Sequence, residues 1–395
     1  MPVRKLTEKE ELLESDRICS IAFAGSWSRE EAIKALEAPS SPPPVSFGYF
    51  NQEGALTASM VLPEYQARYQ GEAVPIIGVG GVASLPEHRY EGAVRQIFQT
   101  VLPWMRQRGG VFSALYPFSH VYYRRFGYEL CQIASYHKIP TQALSAFRCT
   151  CQVSMVQPGQ DLDSLQAVYS ARLGQYNLAV QREDRHWEKL IGKDPCKERR
   201  YAYLLKDSSG PLAYVVFQAQ EATPHSKSGA IRELAFQGPE GLRQLLGFLY
   251  RLAAQYDWFT VSLPEDTPLA ALIPEYYDLE VSSGEQPMAR ILHVEKALAR
   301  KAPQDVRYTV KVRDNLLPEN NGVFRVSGGS PAPVEKLLDT APADLSVDIG
   351  TLTQLCLGFL SLEGALYKPE ALLSGNRAAL EQAFPREAVF LTEFF

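Results

Sequence analysis

Between Gly92 and Tyr128 the sequence contains no Asp or Glu, yet it carries Arg95, Arg106, Arg108, Arg124 and Arg125 in a chain whose formal net charge is −5. An arginine-bearing, acid-free stretch inside an acidic chain is a place to expect an anion. The region opens on Gly78-Val79-Gly80-Gly81-Val82-Ala83, continues through LPEHRYEG (85–92), and closes on PFSHVYYRRFGY (117–128). Two ways of holding phosphate compete here. The first is GVGGVA, which satisfies G-x-G-x-x-A, the dinucleotide fingerprint. Its mechanism needs a helix to start at the last small residue and an acid about 20 positions on for the ribose. Pro86 interrupts at once and no acid stands between Glu91 and Glu129. That reading fails, and the glycines are expected to mark a bulged strand. The second places the anion one loop later, at Arg89-Tyr90-Glu91-Gly92-Ala93. A loop rising from a strand into a helix offers unpaired N–H groups and the positive end of a dipole, and Gly92 permits close approach. A surface turn with incidental arginines has the same spacing.

Tyr116, Tyr122, Tyr123 and Tyr128 follow that loop. The six cysteines contain no CxxC pair and the six histidines no HxH or HxxxH spacing, so no metal site is read. Cys149-Thr150-Cys151 is either a vicinal redox or metal element or simply two thiols on one side of a strand.

The 395 residues suggest two or three domains, and the elements that must position these groups fall into three units. Leu6 to Ala38 has helical periodicity, stopped by Pro42-Pro43-Pro44, and a hairpin follows around Asn51-Gln52-Glu53-Gly54. Ala93 to Met105 places Val94, Ile97, Phe98, Val101 and Met105 on one helical face, with a kink expected at Pro103. Val111 to Tyr116 reads as a strand, Tyr128 to Ile139 resumes strand patterning, and Pro140 to Ala146 reads as a domain joint. From Cys151 to Glu285 the order of helices, hairpin, strand, helix and strand repeats, with the short acidic junction Gln237 to Gly241 in place of the HRYEG loop. A duplicated, non-catalytic unit is expected. The third unit begins near Met288 and reads as an α+β layer.

The net charge argues against nucleic acid as a partner. No apolar run is long enough to span a bilayer and MPVRKLTEKEELLES has no signal-peptide core, so a cytoplasmic protein without membrane partners is expected.

VASLPEHRYEG followed by VFSALYPFSHVYYRRFGYE resembles the GCN5-related N-acetyltransferase (GNAT) superfamily, whose acetyl-CoA loop has the form R/Q-x-x-G-x-G/A. The pairing of that loop with YYRRFGYE is similar to the enhanced intracellular survival (Eis) family. The resemblance covers the whole chain and includes the LPENNG turn and Asp348 to Leu352. It implies an α/β and α+β fold: an active GNAT domain (1–147), a degenerate one (148–286) and a C-terminal sterol-carrier-like domain (287–395). It further implies acetyl-CoA as co-substrate, no metal, and a homo-oligomer such as a hexamer. By the same resemblance Arg89, Tyr90, Glu91, Gly92 and Ala93 would cradle the pyrophosphate, and Val82, Ala83 and Ser84 would pair with the pantetheine arm. Tyr123 would protonate the leaving thiolate, with Tyr116, Tyr122 and Tyr128 as alternatives. The carboxylate of Phe395 would hold the substrate amine; with a reference pKa of about 3.3–3.7 it is a weak base unless buried. Val94 stands where the pattern has Gly or Ala and Glu91 where it is usually basic, so weaker coenzyme binding is expected. The implied reaction is direct transfer of acetyl, in a ternary complex, to a primary amine of a small cationic molecule such as an aminoglycoside, polyamine or lysine-like amine. A lipid carrier built on the third domain and a non-catalytic acetyl-CoA sensor are the alternatives.

Overall fold

The computed structural model describes residues 2–37, 44–223, 226–329 and 331–395. Pro42 and Pro43, expected to stop the first helices, lie outside the described residues. The chain forms two compact units, Met1–Gln132 with Pro287–Phe395, and Ile133–Gln286.

The first unit begins with strands β1 (Val3–Lys5), β2 (Val45–Phe50), β3 (Leu56–Leu62), β4 (Glu64–Tyr69), β5 (Glu72–Gly78), β6 (Gly80–Ser84), β7 (Phe112–Leu115) and β8 (Glu129–Leu130). Its first helices are α1 (Lys9–Ala22), α2 (Arg29–Glu37), α3 (Ala93–Gln107) and α4 (His120–Arg124). The expected first hairpin joins β2 to β3, and the Asn51 side chain accepts the Glu53 and Ala55 N–H groups at 3.0 and 2.9 Å. A second hairpin, β4 to β5, turns on Gln70 (φ 53°) and Gly71 (φ 85°), the doubly left-handed turn that suits strand twist. Helix α3 runs through Pro103 and buries Ile97, Phe98, Val101, Leu102 and Met105 against Phe47, Ala58, Met60 and Leu62 of β2 and β3.

The second unit contains β9 (Ala134–Pro140), β10 (Gln152–Met155), β11 (Arg200–Asp207), β12 (Gly210–Thr223), β13 (Ser226–Phe236), β14 (Trp258–Pro264) and β15 (Glu280–Ser283), in sheet order β10-β11-β12-β13-β14-β9-β15. Strand β9, grouped by sequence with the first domain, pairs with β14 along its whole length, and Ile139 is buried in the same core as Phe259 and Val261. The passage between units therefore falls at Gln132, ahead of the polar segment read as the joint. Strands β13 and β14 are parallel over three residue pairs, Ser228 to Ala230 against Trp258 to Thr260. At their far ends Arg172 reaches across: its guanidinium lies 5.1 Å from the Phe236 ring centre and 2.9 Å from Asp266, which also accepts from Tyr176 at 2.5 Å. Side chains of the unit itself thus bridge these diverging strands. The Cys149 and Cys151 thiols lie 3.6 Å apart.

Returning to the first unit, β16 (Met288–Ile291) inserts between β7 and β8, antiparallel to both, completing the sheet β4-β5-β7-β16-β8. Strands β17 (Arg307–Arg313), β18 (Gly322–Ser327), β19 (Val334–Leu337), β20 (Leu345–Asp348) and β21 (Leu372–Leu373) make a separate sheet. Helix α5 (Ile349–Leu357) is buried on every side. Asp348 caps its first turn by accepting the Thr351 N–H at 2.8 Å, and Gly358, at φ 80°, ends it. Its Thr353 hydroxyl accepts the Ile291 N–H at 3.0 Å and its Gln354 side chain donates to the Leu130 carbonyl at 2.7 Å, tying the helix to β16 and β8.

Arg290, at the centre of β16, is fully buried. It donates to Asp314 at 2.5 Å and to the Phe126 carbonyl at the end of the tyrosine turn. Asp314 also accepts the Leu316 and Leu317 N–H groups and the Asn320 amide, at 3.0, 3.2 and 3.0 Å. Every charge in this buried knot is paired, as burial requires. Replacing Arg290 by Met should therefore cost about 3–5 kcal/mol of stability, by leaving Asp314 buried and uncompensated. Denaturant titration checks it, and a loss under about 1 kcal/mol would contradict the pairing argument.

Candidate functional site

The site grows from one crossing of the chain. Strand β5 is parallel to β7 through Ile76↔Phe112, Ile77↔Ser113 and Gly78↔Ala114, and the Val79 N–H still bonds the Ala114 carbonyl at 2.9 Å. The next residues leave that sheet and join β3 in the other, with Val61 opposite Gly80 and Ser59 opposite Ala83. Three steps on β6 face two on β3, so β6 is bulged as expected, and Gly81 supplies the left-handed residue at φ 55°. Val82 packs toward α3 and Ala83 toward Ile18 and Leu85 beneath α1. Beyond β3, β6 has no strand partner among the described residues. Its free backbone edge faces the gap where the two sheets part, and can accept an extended amide-bearing chain.

That edge leads into the HRYEG loop. A single turn, Pro86–His88, precedes Tyr90 at φ 68° and Gly92 at φ 81°, and α3 begins at Ala93. Left-handed residues in such a loop turn successive N–H groups inward as an anion-binding nest. A methyl on Gly92 would meet nothing within 4 Å, and the first turn of α3 has no acid. Tyr90 is fully exposed in a conformation unusual for a bulky residue. Glu91 is turned aside onto His88, with both oxygens 3.2 Å from Nδ1. Val94, in the first turn of α3, is half-buried against the core. Neither departure from the phosphate-loop pattern obstructs the N-terminus of the helix.

The arginines separate into two groups. Arg106 bonds the Leu292 carbonyl and Asn320 at 2.7 and 2.8 Å, Arg108 holds Glu64, and Arg124 makes a fork on Glu129. These three are structural. The guanidinium groups of Arg89, Arg95 and Arg125 make no hydrogen bond or ion pair among the described residues. Burial drives the Glu129 carboxyl upward, but Arg124, the Leu130 N–H and Lys368 outweigh it, leaving the group below its ordinary value and charged.

The tyrosine turn is set by Ser119, whose hydroxyl accepts the Tyr122 N–H at 3.3 Å. Tyr123 is buried, edge-on to Phe98, Phe118, Tyr122 and Tyr128 at 6.2, 5.4, 5.2 and 6.4 Å. Burial, then the neighbouring phenols of Tyr122 and Tyr128, raises its hydroxyl above the ordinary value. The hydroxyl makes no hydrogen bond among the described residues. The alternatives differ: Tyr128 shares a 2.7 Å bond with Ser113, and Tyr116 donates to the Leu391 carbonyl at 3.4 Å. Tyr122 is half-buried.

The last residues of the sequence lie against the crossing. The Leu391 N–H bonds Gln132 at 2.6 Å, Phe394 packs 4.5 Å from Tyr116, and the Phe395 ring stacks on Tyr65 of β4 at 5.5 Å. The structure thus brings Phe395 to the strand crossing that the HRYEG loop follows. Tyr65 and Gln132, which make this possible, carried no motif in the sequence; their signal is only geometric.

Burial pushes the Tyr128 hydroxyl up to about 12, against the opposing effects of Ser113 and Arg290. Its folded value exceeds the ordinary 10, so the stability it contributes is complete below pH 10 and lost as pH rises through about 12. Tyr128→Phe should flatten the alkaline fall in stability across that window. Denaturant midpoints measured through it that fall as steeply as the parent's would contradict this.

An acetyltransferase (GNAT) domain matches residues 3–131, another matches 178–291, and a sterol carrier protein domain matches 294–392. No curated protein matches the chain by sequence. Among solved structures it is similar to a GCN5-related N-acetyltransferase from Anabaena variabilis (TM-score 0.86, 21% identity, all of both chains). It is also similar to a conserved protein of Enterococcus faecalis described as a probable N-acyltransferase (0.85, 22%, all of this chain and 99% of the other). Eis1 from Mycobacterium abscessus follows at 0.79 and 21%, again over all of both chains. The chain thus carries two GNAT acetyltransferase domains followed by a sterol carrier protein domain, in a fold it shares with these structures.

Proposed function

We propose that the chain transfers acetyl from acetyl-CoA directly to the primary amine of a small cationic substrate, an aminoglycoside, polyamine or lysine-like amine, with both reactants bound together. The observation that carries this reading is the parting of β6 from β7. It has the nest and N-terminus of α3 at one end and an uncharged, buried phenol following β7. The free edge of Val82, Ala83 and Ser84 suits the amides of a pantetheine arm, and Arg89 to Ala93 suit a pyrophosphate held through backbone N–H groups. Arg89 and Arg95 add charge that no protein acid neutralises among the described residues. Holding both reactants in one gap supplies much of the rate by proximity.

Tyr123 acts as general acid. As the amine attacks the thioester carbon and the carbon–sulfur bond breaks, its phenol gives a proton to the departing thiolate. A raised pKa keeps that proton in place at neutral pH. The carboxylate of Phe395 holds the incoming ammonium and takes its proton, through water, before attack.

Coenzyme A release measured with a panel of amines tests the activity; acetyl-CoA binding without turnover on any of them would favour the sensor reading. Tyr123→Phe should lower turnover about 10²–10⁴-fold with little change in acetyl-CoA affinity, and an unchanged rate would remove Tyr123 from the mechanism. Extending the polypeptide past Phe395 should abolish turnover, and full activity in the extended protein would remove the carboxylate from it.

A further inference from the structure

We infer that Gly78 and Gly80 are positioning residues whose missing side chains form the seat for Phe395; this rests on the proposed role of the Phe395 carboxylate. Gly81 is at φ 55°, but Gly78 and Gly80 are not among the residues with positive φ. A positive φ is therefore not what calls for glycine at these two positions. The requirement for glycine comes from space. A methyl at Gly78 would lie 2.6 Å from Cε2, 2.7 Å from Cδ2 and 3.0 Å from Cζ of the Phe395 ring. A methyl at Gly80 would lie 3.0 Å from the Phe395 carbonyl carbon and 3.4 Å from its oxygen. Carbon atoms pack best at about 3.5–4.0 Å, so both methyls intrude.

The two glycines thus have separate tasks. Gly78, with Tyr65 stacked 5.5 Å from the same ring, forms a slot for the aromatic side chain. Gly80 clears room for the backbone end of residue 395 itself. The seat lies at the residues where β5 leaves β7 and β6 begins, so Phe395 is held at the root of the gap. The side chain at 395 is an anchor, and the carboxylate is the group it aims.

This division predicts an asymmetric rescue. Gly78→Ala and Gly80→Ala should each raise hydrogen exchange of the 391–395 segment by about tenfold or more, with α3 unchanged, and lower amine-dependent coenzyme A release by about 10²-fold. In a Phe395→Ala background, Gly78→Ala should have no further effect, because the ring atoms it strikes are gone. Gly80→Ala should raise exchange of the segment above that of the Phe395→Ala parent, because it strikes the backbone that remains. Tyr65→Ala adds no atom and should loosen the segment by opening the other wall, which keeps the test intact if Gly78→Ala does not fold. Exchange of 391–395 that stays at the parent's level in Gly80→Ala and Tyr65→Ala overturns the seat, whatever the activity. A freed segment with full coenzyme A release leaves the seat standing and overturns only the proposed role of the carboxylate.

Discussion

A strand cannot stay hydrogen-bonded in one sheet while its continuation joins another, and the first unit uses that constraint at residues 78 to 80. The Val79 N–H is still held by the Ala114 carbonyl, and by Ala83 the chain is in register with Ser59 of the other sheet. The crossing removes β7 as a partner for β6 and leaves a backbone edge unsatisfied at the place where the sheets part. An unpaired edge inside a folded unit normally costs free energy. Under the proposed function it has a use, because the loop after it ends in the N-terminus of a helix without acids. The residue after the crossing must be left-handed, which Gly81 supplies, and the residues on either side of Val79 must be small, for the separate reason that Phe395 lies against them.

The rest of the first unit holds this crossing in place from a distance in sequence. Strand β7, against which β5 ends, is braced on its other side by β16, more than 170 residues later. Arg290 from β16 then ties the Phe126 carbonyl, at the close of the tyrosine turn, to Asp314 of the third domain. Gly127 is required there: a methyl would lie 3.0 Å from the Arg290 guanidinium and 3.0 Å from Ile349. The segment Pro287–Phe395 is thus part of the first unit in a physical sense, supplying β16, the Asp314 knot, α5 and the residues that pack against Tyr65 and Tyr116. The Cys131 N–H bonds the Pro287 carbonyl at 3.2 Å, so the chain leaves the unit and returns to it at neighbouring points. That is what allows 154 residues to intervene between Gln132 and Pro287 without breaking the sheet.

Sequence reading succeeded where local pattern decides structure. The first hairpin, the buried face of α3, the bulged strand and the helix-initiating loop follow from turn residues, apolar spacing and the dipole, and each formed where expected. Pairing between distant segments was not legible. Strand β9 looks like a continuation of the first domain because nothing in SYHKI announces that its partner is Trp258 to Pro264. The β4–β5 hairpin was signalled by Gln70-Gly71 but hidden by the longer alternation before it. Arg290 and Asp314 were present as ordinary charges, and only their complete burial distinguishes them.

The arginines show the same limit in the site itself. Counting charge between Gly92 and Tyr128 treated five guanidinium groups as equivalent, yet Arg106, Arg108 and Arg124 are occupied by Asn320, Glu64 and Glu129. A guanidinium already forked on a carboxylate has little attraction left for a phosphate, since its donors are used and its charge is neutralised locally. What remains for the proposed anion is Arg89, Arg95, Arg125 and the backbone N–H groups of a short loop. A site built mainly from backbone donors tolerates Glu91, because that side chain can rotate onto His88 while the N–H groups stay fixed by the start of α3. The charge excess draws attention to this loop for a reason that three of the five guanidinium groups do not support, and the proposed anion site rests instead on backbone geometry that composition does not encode.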